Sequence, residues 1–394
     1  MGLIDFKTMQ AVQKALYAID PDIYIYGEGW SLGYNGEGSR NWWDAHPDAE
    51  DPHNFGTETW QVYNECNRFK VGDNAVYLGG FNDCFRNAVR GENGPSYNGK
   101  TYPGAGLIQE GNFPGGRTDP NYAVLDAVAN GLWGVNSNIN SDYGKSGYYP
   151  EHSINYVSCH DIWTVRDQLF NTLPKRDDSH PASLESILRA SLQAHALVMA
   201  SNSAAFFLGG EELLRTKEYT VDPSTVTGVT ADSWTDMWGH KISHNSYNAP
   251  LSVNSFKWGN KVKVTCGDDE ITDAVYHYTD AFKTLIKSHK GLLKKRGTNN
   301  GYGDFVGTTS AGKAVNNLYW SQEGNFSNCV GFQANEAFVY VSVGNIGAGD
   351  YIQCDEGAMA LWNKVFEYGS YNINENKIYF NNRNLVLYYD RHGA

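Results

Sequence analysis

Apolar positions recur at helical spacing over residues 4–18, with Ile4, Val12, Ala15, Leu16 and the adjoining Ile19 on one face. Asp20-Pro21 ends that helix, because proline lacks a donor and restricts the residue before it. The apolar run Ile23-Tyr24-Ile25-Tyr26 follows and stops at Gly27-Glu28-Gly29-Trp30, which reads as a buried strand entering a polar loop. The same alternation returns along the chain. Ala75 to Phe81 is a strand ending at Asn82-Asp83, and Val124 to Leu132 is helical. Ile154 to Ser158 is a strand ending at His160-Asp161. Leu184 to Met199 is a helix with Leu184, Ile187, Leu188, Leu192 and Met199 on one face. Ala204 to Leu208 is a strand ending at Gly209-Gly210-Glu211-Glu212. Strands alternating with helices predict an α/β domain with a parallel sheet. The polar residues gather after the C-terminal ends of the strands, where both (β/α) barrels and open doubly wound sheets carry their sites. Position alone leaves these two architectures open. No glycine-rich dinucleotide or phosphate-loop motif follows any strand, which weighs against a nucleotide.

Beyond Leu292 the pattern changes. Asn317 to Trp320, Ala337 to Val343 and Leu385 to Tyr389 are short runs rich in Val, Tyr and Phe, separated by Gly and Asn clusters. They predict an all-β domain, a sandwich, over residues 291–394, behind an α/β domain over residues 1–290. Stretches 91–118 and 136–150 are rich in Gly, Asn, Pro and Tyr and read as long surface loops.

Composition narrows the function. With 394 residues, 41% hydrophobic and 19% charged, the chain has ample material for a core. A net charge of −13 and the lack of a Lys/Arg run weigh against nucleic acid as a partner. No apolar run reaches the ~18 residues that span a bilayer, so no membrane partner is expected; Met1 to Asp20 alternates apolar and polar residues without a basic start and does not read as a signal peptide. Aromatic residues reach 14%, with 26 Tyr and 11 Trp, which suits flat faces that stack on sugars as well as core packing. The six cysteines, Cys66, Cys84, Cys159, Cys266, Cys329 and Cys354, show no Cys-x-x-Cys spacing and read mostly as free, buried thiols. No cofactor and no metal site is expected from the spacing of His and Cys.

Glu28 stands at a strand end between two glycines, which let a ligand approach the backbone closely. A carboxylate near aromatic rings and a second carboxylate holds its proton more tightly, as a general acid must. His160-Asp161 ends a separate strand, so two carboxylates fall on two strand ends, a pattern that fits glycoside hydrolysis. The alternative for each is an ordinary loop residue. Glu211 and Glu212 read as a structural ion pair with a nearby Arg such as Arg215. His195, mid-helix, reads as a satisfied core histidine. Trp30, Trp42 and Trp43 either stack on sugar or pack, and His244 lies in a polar aromatic loop with Asn245, Tyr247 and Asn248, suited to hydroxyl recognition.

These segments together resemble a known family. Tyr24 to Trp30 is similar to the general-acid segment of glycoside hydrolase family 13 in its type I pullulanase branch, and Asn155 to Asp161 to its later His-Asp segment. Phe81-Asn82-Asp83 with Phe85-Arg86 and Val89-Arg90-Gly91, Gly210 to Lys217, and His244 to Asn248 also resemble segments of that branch, in order. The resemblance implies the C-terminal half of a (β/α)8 TIM barrel, about strands five to eight, followed by the all-β sandwich. It implies retaining hydrolysis of α-1,6-glucosidic bonds in branched α-glucans such as pullulan, glycogen and amylopectin dextrins. By this likeness Glu28 is the general acid/base, Asp161 stabilises the transition state, and His160 binds the same sugar. Trp30, Asn245, Tyr247 and Asn248 are carried over as substrate-binding residues.

The likeness also has gaps. The family's nucleophilic Asp falls in a segment reading Arg-Phe-Asp-Leu-Met-Gly, whereas this sequence opens Met1-Gly2-Leu3, and Asp5 falls where the helix starts. The resemblance therefore implies a missing N-terminal half of the barrel as the partner that completes the site. Ile162 stands where the family often has Asn, Ser203-Ala204-Ala205 where it has Gly-Ile-Pro-like residues, and Leu251 where it has Asp. Two other readings follow: a non-catalytic α-glucan-binding fragment, and another α-glucan hydrolase of the same family.

Overall fold

A computed structural model describes residues 6–28, 78–91, 93–97, 100–110, 122–134, 153–173, 183–201, 203–220, 233–235, 241–261, 263–266, 269–272, 278–284, 287, 318–320, 329–333, 337–342, 351–354, 356–382 and 385–390. Helix α1 (Phe6–Tyr17) leads to strand β1 (Ile25–Tyr26). Strand β2 (Leu78–Phe81) runs straight into α2 (Asp83–Arg90). A hairpin of β3 (Asn93–Tyr97) and β4 (Lys100–Pro103), the short α3 (Leu107–Glu110) and α4 (Tyr122–Trp133) precede β5 (Ser153–Asn155). Helices α5 (Val165–Thr172) and α6 (Leu184–Ala200) then precede β6 (Ala204–Ala205).

The four strands β1, β2, β5 and β6 form one sheet in that order. Every pairing in it is parallel, with Tyr26 opposite Gly79, Phe81 opposite Ile154 and Asn155 opposite Ala205. Neighbouring strands follow one another in sequence, with no reversal of order. That is an arc of a barrel, since a doubly wound sheet reverses its strand order at a switch point. The strands are shorter than their apolar runs because the chain leaves the sheet early: after Phe206 N donates to Asn155 O (2.9 Å), the segment turns toward Gly209.

The helices begin where the sequence supplies caps. The side chains of Asn82, Thr164 and Ser183 accept from Phe85 N, Asp167 N and Ser186 N, each meeting one orphaned helix donor. Helix α2 ends at Gly91, whose φ of 88° suits glycine, and a Cβ there would lie 2.1 Å from Gly104 O. The segment expected as loop from residue 91 contains the β3–β4 hairpin and α3. The sequence joining the two strands is Asn98-Gly99, a strong hairpin signal that composition masked. Stretch 136–150, and residues 288–317 around the expected domain boundary, lie outside the described residues.

Beyond these elements, Leu318–Trp320, Cys329–Gln333, Ala337–Ser342, Val386–Asp390 and Asn363–Tyr368 form a five-stranded antiparallel sheet in that spatial order. A three-stranded sheet orders Ile352–Gln353, Lys377–Phe380 and Tyr371–Asn374. Alternation sorts the two faces of the larger sheet. Val339, Val341, Val386 and Tyr388 join the core around α6, whereas Tyr340, Leu387 and Tyr389 share a second core with Ile352, Ile378 and Phe380 of the smaller sheet. Helix α6 is buried along most of its length between the barrel arc and this sheet, and Gln193 Nε2 donates to Ser342 O and Leu385 O. Among the described residues, no helix is long and apolar enough to cross a membrane.

Candidate active site

Parallel pairing brings the strand ends into one row, and the first groups along that row are aromatic. Tyr24 stacks on Tyr26 (5.8 Å between ring centres), Tyr26 meets the edge of Phe81, and Phe81 packs edge-on against Tyr156 (5.2 Å) and Phe206 (5.3 Å). Tyr156 OH donates to Asp83 and accepts from Arg86, while Arg86 Nη2 lies 3.2 Å from Asp83 Oδ2. Burial lifts the Tyr156 hydroxyl well above the usual phenol range, so it stays a donor to Asp83.

Glu28 follows β1 and is half-buried, with Gly27 N anchored on Gly79 O (3.1 Å). His160 and Asp161 follow β5. The side-chain donor atoms of Glu28, His160 and Asp161 all lie within 4.8 Å of one another, although Glu28 is remote in sequence from the other two. His160 Nε2 lies 3.3 Å from Asp161 Oδ2, and both side chains are open to solvent, at 60% and 38% exposure. Three such atoms at this spacing are close enough to converge on one ligand group, a sugar hydroxyl or a cation. Sequence spacing of His and Cys gave no sign of a metal because the trio is assembled only by strand pairing.

The His160-Asp161 loop is held by its backbone. His160 O accepts from Lys217 Nζ (2.6 Å) and Ser246 Oγ (3.1 Å), Asp161 O from Cys159 Sγ (3.6 Å), Ile162 O from Lys217 Nζ, and Trp163 O from Arg90 Nη1 (2.9 Å). Four successive carbonyls thus have side-chain donors. The expected loop of His244, Asn245, Tyr247 and Asn248 is brought alongside through Ser246, with His244 edge-on to Trp163 (5.1 Å). Asn245 is half-buried, Asn248 is exposed, and Tyr247 is 68% exposed. Trp30, Trp42, Trp43 and Asp5 lie outside the described residues. Cys84, Cys159 and Cys354 are free thiols, as the spacing implies, but half-buried where full burial is expected; even so, partial burial raises the Cys84 and Cys159 thiols.

One expected pairing is corrected. Glu211 does not hold Arg215. Its Oε2 lies 2.7 Å from His195 Nε2, and His195 Nδ1 donates to Ser191 O (2.7 Å). Arg215 instead donates to Gly209 O and Asn254 O, and Glu212 accepts from Gly210 N. The tight turn at Glu211–Leu213, between left-handed Gly210 and Leu214, leaves Glu211 against α6 while half-buried Arg215 lies over Phe256. His195 is the satisfied core histidine its helical position predicted. The residues that sequence reasoning passed over are Tyr156, Ser246 and Lys217. Each lies inside a segment the sequence singles out, but nothing in residue type marks a tyrosine that joins Asp83 to Arg86, or a serine and a lysine that grip backbone carbonyls.

No protein-family profile matches the chain. It is homologous at low identity to pullulanases. It is 23% identical over 297 residues to the pullulanase of Bacillus subtilis (strain 168), covering 73% of this chain and 29% of the relative. It is 26% identical over 279 residues to the pullulanase of Klebsiella aerogenes, covering 65% and 22%. The chain thus spans less than a third of the length of these relatives. In fold it is similar to the pullulanase from Anoxybacillus sp. LM18-11 solved with maltotetraose (TM-score 0.56, 19% identity, 99% of this chain and 43% of that one). It is also similar to the catalytic module of the glycogen-degrading pneumococcal virulence factor SpuA, solved with an inhibitor (TM-score 0.56, 18% identity, 99% and 51%). These matches fit the parallel barrel arc and the separate β sheets seen here.

Proposed function

We propose that the chain carries the acid/base side of a pullulanase-like α-glucan hydrolase site. The observation that carries this reading is the convergence of Glu28, His160 and Asp161 from two different strand ends. Glu28 protonates the glycosidic oxygen as the bond breaks, then takes a proton from water as the glycosyl intermediate is released. Asp161 accepts hydrogen bonds from hydroxyls of the sugar beside the scissile bond, bonds that tighten as positive charge develops on the ring. His160 binds the same sugar, and Asn245, Tyr247 and Asn248 line its approach. Trp30, which follows Glu28 by two residues, is assigned to the same sugar-binding surface. The proposed substrate is a branched α-glucan and the bond an α-1,6 linkage, cleaved with retention in the manner of glycoside hydrolase family 13. Retention also needs a carboxylate nucleophile. The resemblance assigns that role to no residue of the 394, so this reading covers the acid/base half of the chemistry alone.

The test measures reducing ends released from pullulan and affinity for maltotetraose. It compares the 394-residue chain with the same chain joined to whatever coding sequence adjoins it. Glu28→Gln is expected to abolish hydrolysis and leave maltotetraose bound; an unchanged rate removes Glu28 as the acid. A second reading, glucan binding without turnover, is favoured by one observation: the side chains of His160 and Asp161 are open to solvent, at 60% and 38% exposure, and can meet sugar hydroxyls without any proton transfer. Turnover of pullulan by the 394-residue chain alone would refute it.

A further inference from the structure

Lys217 is fully buried, at 0% exposure, yet its side chain touches the candidate site through backbone alone. Its Nζ donates to His160 O (2.6 Å), to Ile162 O and to His244 O (3.3 Å). An ammonium has three hydrogens, and here three carbonyls receive them. Two of those carbonyls flank Asp161. They converge on one point because the chain between them is curled: Ile162 has a φ of 57°, left-handed backbone that a β-branched residue rarely adopts. Such a conformation persists only where its surroundings hold it. The lysine is itself fixed, since its backbone N–H donates to Asp167 Oδ2 (2.8 Å), and Asp167 Oδ1 accepts from Arg166 and Thr216.

We infer that Lys217 is the positioning residue for Asp161: by gathering the carbonyls of His160, Ile162 and His244, it holds the loop in the curl that presents the Asp161 carboxylate to Glu28. The link to catalysis rests on the glucan-hydrolase reading, whereas the curl does not. Lysine suits the task because burial in a low-dielectric site strengthens each charge-assisted bond, and a carbonyl cluster accepts a point charge from any direction. One grip joins two loops, since His244 opens the segment that also reaches His160 through Ser246.

The test is hydrogen exchange on the folded chain, read together with maltotetraose affinity. In Lys217→Met, amides of residues 158–164 and 243–247 should exchange at least about tenfold faster, while α6 and the five-stranded sheet keep their protection. Adding Ile162→Asn, a residue that tolerates left-handed backbone, should restore much of the lost protection, because the curl then needs less holding. Maltotetraose affinity should fall in the single variant and recover in the double. A loop that stays protected in Lys217→Met overturns the inference. So does loosening that spreads to α6 and the sheet and is not relieved by Ile162→Asn, because Lys217 would then be general core support. If the unaltered chain binds no maltotetraose, the glucan reading falls, and the exchange pattern still decides the curl.

Discussion

His195 Nε2 lies 2.7 Å from Glu211 Oε2, with the two side chains 0% and 3% exposed. The pair ties α6 to the turn after β6, and two rings enclose it: Phe207 stacks on the imidazole and Phe282 meets it edge-on (4.9 Å). Neither residue faces the Glu28 cluster through any bond described, so the pair belongs to the core. Replacing His195 by Leu strands the Glu211 carboxylate in that core. Losing one partner of a buried pair costs about 3–5 kcal/mol. Urea unfolding of His195→Leu should show a loss of that size, and Glu211→Gln a smaller one, because the amide N–H of glutamine can donate to Nε2 while Nδ1 keeps its bond to Ser191 O.

Asp161 offers a test of its proposed sugar-binding role that is separate from the proton-transfer role proposed for Glu28. A hydrogen bond to a charged group contributes about 1.5–3 kcal/mol. Asp161→Asn should therefore weaken maltotetraose binding by roughly 10- to 100-fold, and Glu28→Gln should not. Calorimetric titration of both variants separates the roles, and equal affinities for all forms would remove Asp161 from the sugar site.

Burial pulls Lys217 down to about 8 from an ordinary 10.5, against the opposing pull of Cys159, Asp167 and Asp161. Between those values the unfolded chain binds the extra proton and the folded chain does not. Stability from this group therefore rises with pH from about 8 to about 10.5, by about 3 kcal/mol in full. Lys217→Met removes the contribution. The difference in unfolding free energy between unaltered chain and variant should grow in favour of the unaltered chain across that window; a constant difference would show that Lys217 does not titrate there.

Gly91 ends α2 at a φ of 88°, and an added Cβ would lie 2.1 Å from Gly104 O and 2.8 Å from Ala105 C. Both obstacles are backbone and cannot swing away. Gly91→Ala should destabilise by about 2–4 kcal/mol, combining left-handed strain with overpacking. Gly259→Ala, where a Cβ meets nothing within 4 Å, is the control expected to unfold at nearly the same temperature.

Much of the architecture could be read from local pattern. The helix over Leu184–Ala200 was visible because its apolar positions repeat at helical period. The strands before Glu28, Asn82 and His160 were visible because apolar runs stop abruptly at polar loops. The hairpin from Asn93 to Pro103 reads as loop from composition, although Asn98-Gly99 marks its turn, because Gly and Pro lower the apparent strand content. Arg215 differs from its expected pairing for another reason: sequence proximity favours the nearest opposite charge, whereas in the fold Glu211 meets His195 and Arg215 meets the backbone carbonyls of Gly209 and Asn254.

The sequence alone settled the alternation of strands and helices, the β-rich remainder, and which polar residues end which strands, because each follows from periodicity and from breakers only a few residues apart. Pairing in three dimensions decided the rest. It made the sheet an arc, since parallel strands need long crossovers whose order no local pattern encodes. It brought Glu28 within reach of His160 and Asp161, and it turned Lys217 from a surface-type residue into the buried grip behind Asp161. Hydrogen bonds from a side chain to a backbone carbonyl carry no residue-type signature on the accepting side, so only the folded chain reveals them.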